Sequence, residues 1–183
     1  MLKNKGKLII ILIFTIICLL LGVNFVKDTT IRIPTLSELR VEEVYIYDGD
    51  ENGENLEVEK VVKIEGGKTT QEKIERIVDE LQKRFEDIEL RIKDYENVNG
   101  KRVLVIDLKD RYKSVDSYLD SGSAGSRIYL GIIVNTLLQN EKSMSNWIDG
   151  VKILVNGEEN VESGHISLEG IFYKSKNKTI ELQ

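Results

Sequence analysis

The run Asp48-x-Asp50-x-Asn52-Gly53, with Glu59 at the final ligand position, reproduces the ligand order of an EF-hand calcium loop. Oxygens at those intervals enclose a hard cation only when helices flank the loop and the last glutamate folds back onto the ion. Here the flanks Val44 to Tyr47 and Leu56 to Ile64 read as strands, which would hold Glu59 extended. A solvated turn is the better reading, and no metal is expected. His165 is the single histidine, so a Ser-His-Asp triad or a zinc site must use it. It lies in Gly164-His165-Ile166, with no nucleophile elbow elsewhere, and a structural place at a strand start is expected. Asp107 and Asp110 form a carboxylate pair of the kind that does acid–base work. Among 31 acidic residues, such a pair arises by chance. Ser121 to Ser126 is glycine-rich but matches neither a P-loop nor a G-x-G-x-x-G turn. Asn135 stands in an apolar stretch, where its expected role is to bond a buried backbone group. No catalytic residue, cofactor or enzymatic activity is expected.

The elements that would position these residues begin with an anchor. Lys3, Lys5 and Lys7 precede an apolar run from Leu8 to Val26. About 20 apolar residues in a helix cross the hydrocarbon core of a bilayer, whose backbone groups must be satisfied internally. The run ends in Gly22-Val23-Asn24-Phe25-Val26-Lys27, without a small-residue cleavage site, and Cys18 follows Ile16-Ile17 rather than a small residue. An uncleaved single-pass anchor is expected rather than a signal peptide or a lipoprotein signal. The flanking lysines place residues 1–7 in the cytoplasm, the spanning segment at 8–26, a linker at 27–40 and an extracytoplasmic domain at 41–183. Cys18 is the only cysteine, so that domain can hold neither a disulfide nor a thiolate site.

Of 183 residues, 26 are basic and 31 acidic; without the three N-terminal lysines, 23 basic residues face 31 acidic ones. Such a surface repels phosphate backbones, which excludes nucleic acid as a partner.

Within the domain, Val44 to Tyr47 and Leu56 to Ile64 predict strands joined by a turn at Asn52-Gly53. Thr69-x-x-Glu72 is a capping box, and Ile74, Ile77, Val78, Leu81 and Phe85 follow at helical spacing. Ile88, Leu90 and Ile92 alternate, Asn99-Gly100 turns, and Val103 to Leu108 returns apolar on both faces as a central strand. Ser121 to Ser126 is placed to cap a buried helix over Ile128 to Leu138. Val151, Ile153 and Val155 alternate into the turn Asn156-Gly157, and shorter strand signals follow at Ile166, Leu168, Ile171 to Tyr173, Ile180 and Leu182. The expected fold is α/β (α+β): a two-layer sheet with two packed helices, preceded by the membrane helix.

From Val105 to Leu168 the chain resembles the GerM (GerMN) domain of sporulation and spore-germination proteins. The resemblance rests on the strand Val105-Ile106-Asp107-Leu108, the Ser/Gly loop Ser121 to Ser126, and the helix carrying Val134-Asn135-Thr136-Leu137. It continues through Gly150-Val151-Lys152-Ile153-Leu154-Val155-Asn156-Gly157 and Gly164-His165-Ile166-Ser167-Leu168. The family-motif residues are thus Asn135, Thr136, Leu137, Gly150, Val151, Gly157, Gly164 and His165, all in structural roles. The segment Asn140 to Asn146 departs as a longer loop. Typical members also carry two such domains behind a lipoprotein signal, whereas here one domain follows an anchor. The resemblance implies an exported scaffold or interaction module that partners envelope or sporulation-complex proteins, or further copies of itself. A wall-binding module of the vegetative envelope is the alternative, and an envelope hydrolase a second one.

Overall fold

A computed structural model describes residues 41–139, 147–163, 166–174 and 181–182, which fall within one compact unit, Leu36–Gln183. The anchor segment 8–26, the linker 27–40, the loop from Asn140 to Asn146, and Gly164 with His165 lie outside the described residues. Among the described residues no helix is long and apolar enough to cross a membrane.

Strands β1 (Val41–Gly49) and β2 (Leu56–Glu65) pair antiparallel as a separate two-stranded ribbon. Their register shifts between Ile46 and Tyr47: Ile46 faces Lys60, Tyr47 faces Val58, and Glu59 is passed over. This bulge lets the neighbouring residues Ile46 and Tyr47 both be buried, against the ordinary alternation of a strand.

Helix α1 (Thr70–Arg84) starts where the capping box predicts. The Thr69 hydroxyl accepts from the Glu72 N–H at 3.2 Å, and the Glu72 carboxylate accepts from the Thr69 N–H at 2.7 Å. Its apolar face, Ile74, Ile77, Val78 and Leu81, is buried.

Strands β3 (Ile88–Val98) and β4 (Lys101–Asp110) form the predicted hairpin, with Asn99 and Gly100 both at positive φ. A one-turn helix α2 (Asp116–Leu119) and the long α3 (Ser123–Leu138) carry the chain over to β5 (Gly150–Val155), which runs parallel to β4. The sheet order is β3-β4-β5-β8-β9, with β8 at Phe172–Tyr173 and β9 at Glu181–Leu182; β6 (Glu162–Ser163) and β7 (Ile166–Ser167) form a small separate hairpin. Position explains β4: flanked on both sides, it is buried at every residue from Val103 to Leu108.

The mixed α+β class agrees with expectation, and two features differ. The ribbon does not join the main sheet; it packs on α1 and α3, which also contact that sheet. The second helical region is also more complex than one capped helix. The N-cap of α3 is Gly122, at φ 91°, with no side-chain cap, so no serine of Ser121 to Ser126 plays that part. Ser126 instead lies fully buried, donating from Oγ to the carbonyls of Leu119 at 2.6 Å and Gly122 at 2.8 Å. It ties α2 to the first turn of α3.

Candidate functional site

The motif residues of α3 meet the ribbon. Strand β1 bonds to β2 along one edge, and its other edge lies against α3. The Tyr47 N–H donates to Thr136 Oγ1 at 3.1 Å. Three residues on, the Gln139 carboxamide accepts from the Tyr45 N–H at 2.9 Å and donates to the Tyr45 carbonyl at 2.8 Å. Thr136 and Gln139 are both buried, 0% and 2% exposed, so these bonds replace water that cannot reach the strand. The ribbon comes this close because two contact positions lack a side chain. A Cβ on Gly131 would stand 2.8 Å from Leu56 Cδ1, and one on Gly49 would stand 2.9 Å from Ile128 Cγ2. Asn135, half-buried beside this contact, donates to the Gly131 carbonyl at 2.8 Å within its own helix. Leu137 enters the core.

Gln82 repeats the device on the main sheet. It projects from α1, accepts from the Leu90 N–H at 2.9 Å, and donates to the carbonyls of Ile88 at 2.8 Å and Phe85 at 2.9 Å. The start of β3 is an edge, and this carboxamide closes it. Neither glutamine belongs to any motif. Their positions at helix ends carry no sequence signal, because the strand each one meets is fixed only by the tertiary fold.

A second group of motif residues surrounds Asp107, 1% exposed. Its Oδ1 accepts from the Gly157 N–H at 2.8 Å, while Oδ2 takes no hydrogen bond and lies 4.0 Å from Lys109 Nζ. Asn156 continues the clasp: its N–H donates to the Leu108 carbonyl, and its Oδ1 accepts from the Asp110 N–H. Gly157 has φ 85°, a left-handed conformation that favours glycine. The Asp107 and Asp110 pair is thereby divided. Asp110 Oδ1 accepts from the Val115 N–H at 2.8 Å and fixes the entry to α2. At the other end of β5, Gly150 makes room for Ile171 and Tyr173, and Val151 is fully buried.

Among the described residues the most heavily paired charge is Glu80, on the ribbon-facing side of α1 and 6% exposed. Lys60 of β2 and Lys83 each reach it at 2.8 Å, and Arg76 at 3.1 Å. The hydrogen bond from Lys60, followed by that from Lys83, lowers its pKa from 4.5 to about 2.

The calcium-like run forms the ribbon's turn. Asp50 accepts from the Glu54 N–H at 2.8 Å and from Asn55 Nδ2 at 2.9 Å, bonds that lower its pKa. Asp48 accepts from the Gly49 N–H and pairs with Arg84. Glu59 lies in β2. Among the described residues no group of three or more His, Cys, Asp or Glu side chains is placed to hold a metal.

Aromatic side chains join the three helices. Tyr129 stacks on Tyr118 at 4.7 Å between centroids and meets Phe85 edge-on at 4.9 Å. Burial pushes the Tyr129 phenol up, so it is neutral at any physiological pH.

Among curated proteins there is no significant match. Among solved structures, the chain is similar to a candidate lipoprotein from Clostridium perfringens, at 16% identity and a TM-score of 0.33, covering 79% of this chain and 91% of that one. The family model Germane, described as sporulation and spore germination, matches residues 43–161, a span that takes in the ribbon, α1, the β3–β4 hairpin, α3 and β5. The chain belongs to the Germane family of sporulation and spore germination proteins.

Proposed function

We propose that this protein is a membrane-anchored, extracytoplasmic interaction module that builds or holds an envelope complex during sporulation or germination, without catalysing a reaction. Its domain is held near the membrane by the apolar segment 8–26 and the linker 27–40. The observation that carries the reading is the family match over residues 43–161, joined to what the buried polar groups of that span do. Asp107, Thr136, Gln139 and Glu80 bind backbone groups or ion-pair partners that fix strands and turns in place. Their chemistry serves shape, and a fixed shape is what an assembly partner recognises.

The test is a deletion strain combined with a fluorescent fusion. Enrichment of the fusion at the engulfing septum, with a defect in spore formation or germination on deletion, is the expected result. Normal sporulation and germination in the deletion strain would end this reading. A uniform vegetative membrane signal with retention on purified cell wall would favour a wall-binding module instead.

A further inference from the structure

The ribbon has two edges, and among the described residues only one of them is closed. Tyr45 directs both its N–H and its C=O towards Gln139 and away from β2. In an antiparallel pair, a residue whose backbone groups point outward faces a partner whose groups point outward on the opposite edge. Tyr45 pairs with Val61, Glu43 with Lys63 and Val41 with Glu65. The N–H and C=O groups of Val61, Lys63 and Glu65 therefore point away from β1, and among the described residues nothing meets them. Val61 is also one of the few large apolar side chains left exposed, at 45%.

Beside this edge runs an open groove of about 400 Å³, with Lys63, Ile64 and Glu65 on the β2 side and Glu72, Glu75 and Asp79 on α1. Lys68 and Arg76 border it as well, but both are engaged, Lys68 with Glu72 at 3.6 Å and Arg76 with Glu80 at 3.1 Å. Among the described residues Glu65, Glu75 and Asp79 have no ion-pair partner, against the single unpaired cation Lys63. Glu75 and Asp79 stand one helical turn apart, where like charges repel. A cation lying in the groove would relieve that repulsion.

We propose that the outer edge of β2 is the docking edge of this module, receiving an extended segment of a partner protein as a third strand of the ribbon. The segment carries apolar side chains on the face it shares with Val61 and lysine or arginine on the alternate face, turned towards Glu75 and Asp79 of α1. Backbone bonds to Val61, Lys63 and Glu65 supply the register, and the acidic wall supplies the choice of partner. This inference rests on the assembly role proposed above and names its surface.

The test uses the full-length chain and two short synthetic peptides, one alternating valine with lysine and one alternating valine with glutamate. Binding is followed by fluorescence anisotropy and site-resolved amide exchange. The lysine peptide should bind about tenfold more tightly than the glutamate peptide and slow exchange at Val61, Lys63 and Glu65. Glu75→Lys with Asp79→Lys should remove that preference while leaving the circular dichroism spectrum unchanged. Val61→Pro should abolish binding without unfolding the ribbon, because the N–H it removes is not one β1 uses. Equal binding of both peptides, or protection confined to the β3 edge at Tyr95 and Asn97, would overturn the proposal. So would concentration-dependent protection of β2 without peptide, which would make a second copy the occupant. Failure of peptide binding beside a sporulation defect in the deletion strain would remove this surface but leave the assembly role standing. Peptide binding beside normal sporulation and germination would do the reverse.

Discussion

The carboxamide of Gln139 meets both backbone groups of Tyr45, at 2.9 Å and 2.8 Å, across 94 residues of sequence. One side chain at the end of α3 thereby stands where a neighbouring strand would stand along β1. A primary amide can do this because it carries both a donor and an acceptor, the two groups that one residue of a neighbouring strand would offer. It also makes the ribbon depend on α3 for one of its edges, while β2 faces outward.

Replacing Gln139 with leucine should cost about 1–3 kcal/mol, since the Tyr45 N–H and C=O would remain away from water without those partners. Chemical denaturation reads the loss directly. Wild-type stability in the leucine variant would show that water or a shifted side chain completes β1 instead.

Glu80 should make the domain acid-sensitive in a defined window. Its pKa is lower in the folded chain than its ordinary value, about 2 against 4.5. The stability it contributes is therefore present above about 4.5 and disappears as pH falls towards 2. Glu80→Gln should lose about 1–3 kcal/mol at neutral pH and show a flatter decline through that window. Urea midpoints measured from pH 7 down to pH 2 check both statements. Parallel curves for the two proteins would exclude Glu80 as the source of the acid limb.

Asp107 and Gly157 make a prediction with a conservative control. Asp107→Ala should leave the Gly157 N–H unpaired and cost about 1–3 kcal/mol. Asp107→Asn keeps an acceptor for that N–H and removes a buried charge whose nearest cation lies 4.0 Å away, so its cost should be smaller. Equal losses in the two variants would mean that the carboxylate charge, rather than the clasp on the turn, is what β4 requires.

Gly131 should tolerate alanine but not leucine. The atom an added Cβ would meet is Leu56 Cδ1, the far end of a flexible side chain, and alanine gains about 1 kcal/mol of helix propensity over glycine. Gly131→Ala is expected to be near neutral in thermal unfolding. Gly131→Leu should be overpacked by about 1–3 kcal/mol and should lift the ribbon from α3. Retention of the Tyr47 to Thr136 bond in the leucine variant, read by amide exchange at Tyr47, would contradict that displacement.

Elements defined by near neighbours were legible in the sequence. The capping box needs only Thr69 and Glu72, and the β3–β4 hairpin needs only the alternation of Ile88, Leu90 and Ile92 with the turn at Asn99-Gly100. The burial of Val103 to Leu108 on both faces was also written in an apolar run broken only by Asp107. What escaped the sequence depends on contacts between distant segments. Alternation announces that β1 and β2 pair, but not that the ribbon lies on helices rather than extending the sheet. The serines before α3 have the composition of a cap, yet Gly122 takes that position because Ser126 is drawn inward to the Leu119 carbonyl. Thr136 stands within the Val134 to Leu137 motif, but its bond to Tyr47 depends on a strand 89 residues away. Gln82 and Gln139 look like ordinary polar residues until the strands beside them are in place.

The closure of β1 by Thr136 and Gln139 also sets an order of events during synthesis. The chain is made from its N-terminus, so Tyr45 and Tyr47 emerge 94 and 89 residues ahead of the side chains that complete them. At about 5–20 residues per second, that interval is roughly 5–20 seconds. Throughout it the ribbon exposes two bare edges instead of one, and its inner face has no α3 to cover it. The newborn domain is thus most open to mispairing with other chains while its first two strands wait for its third helix.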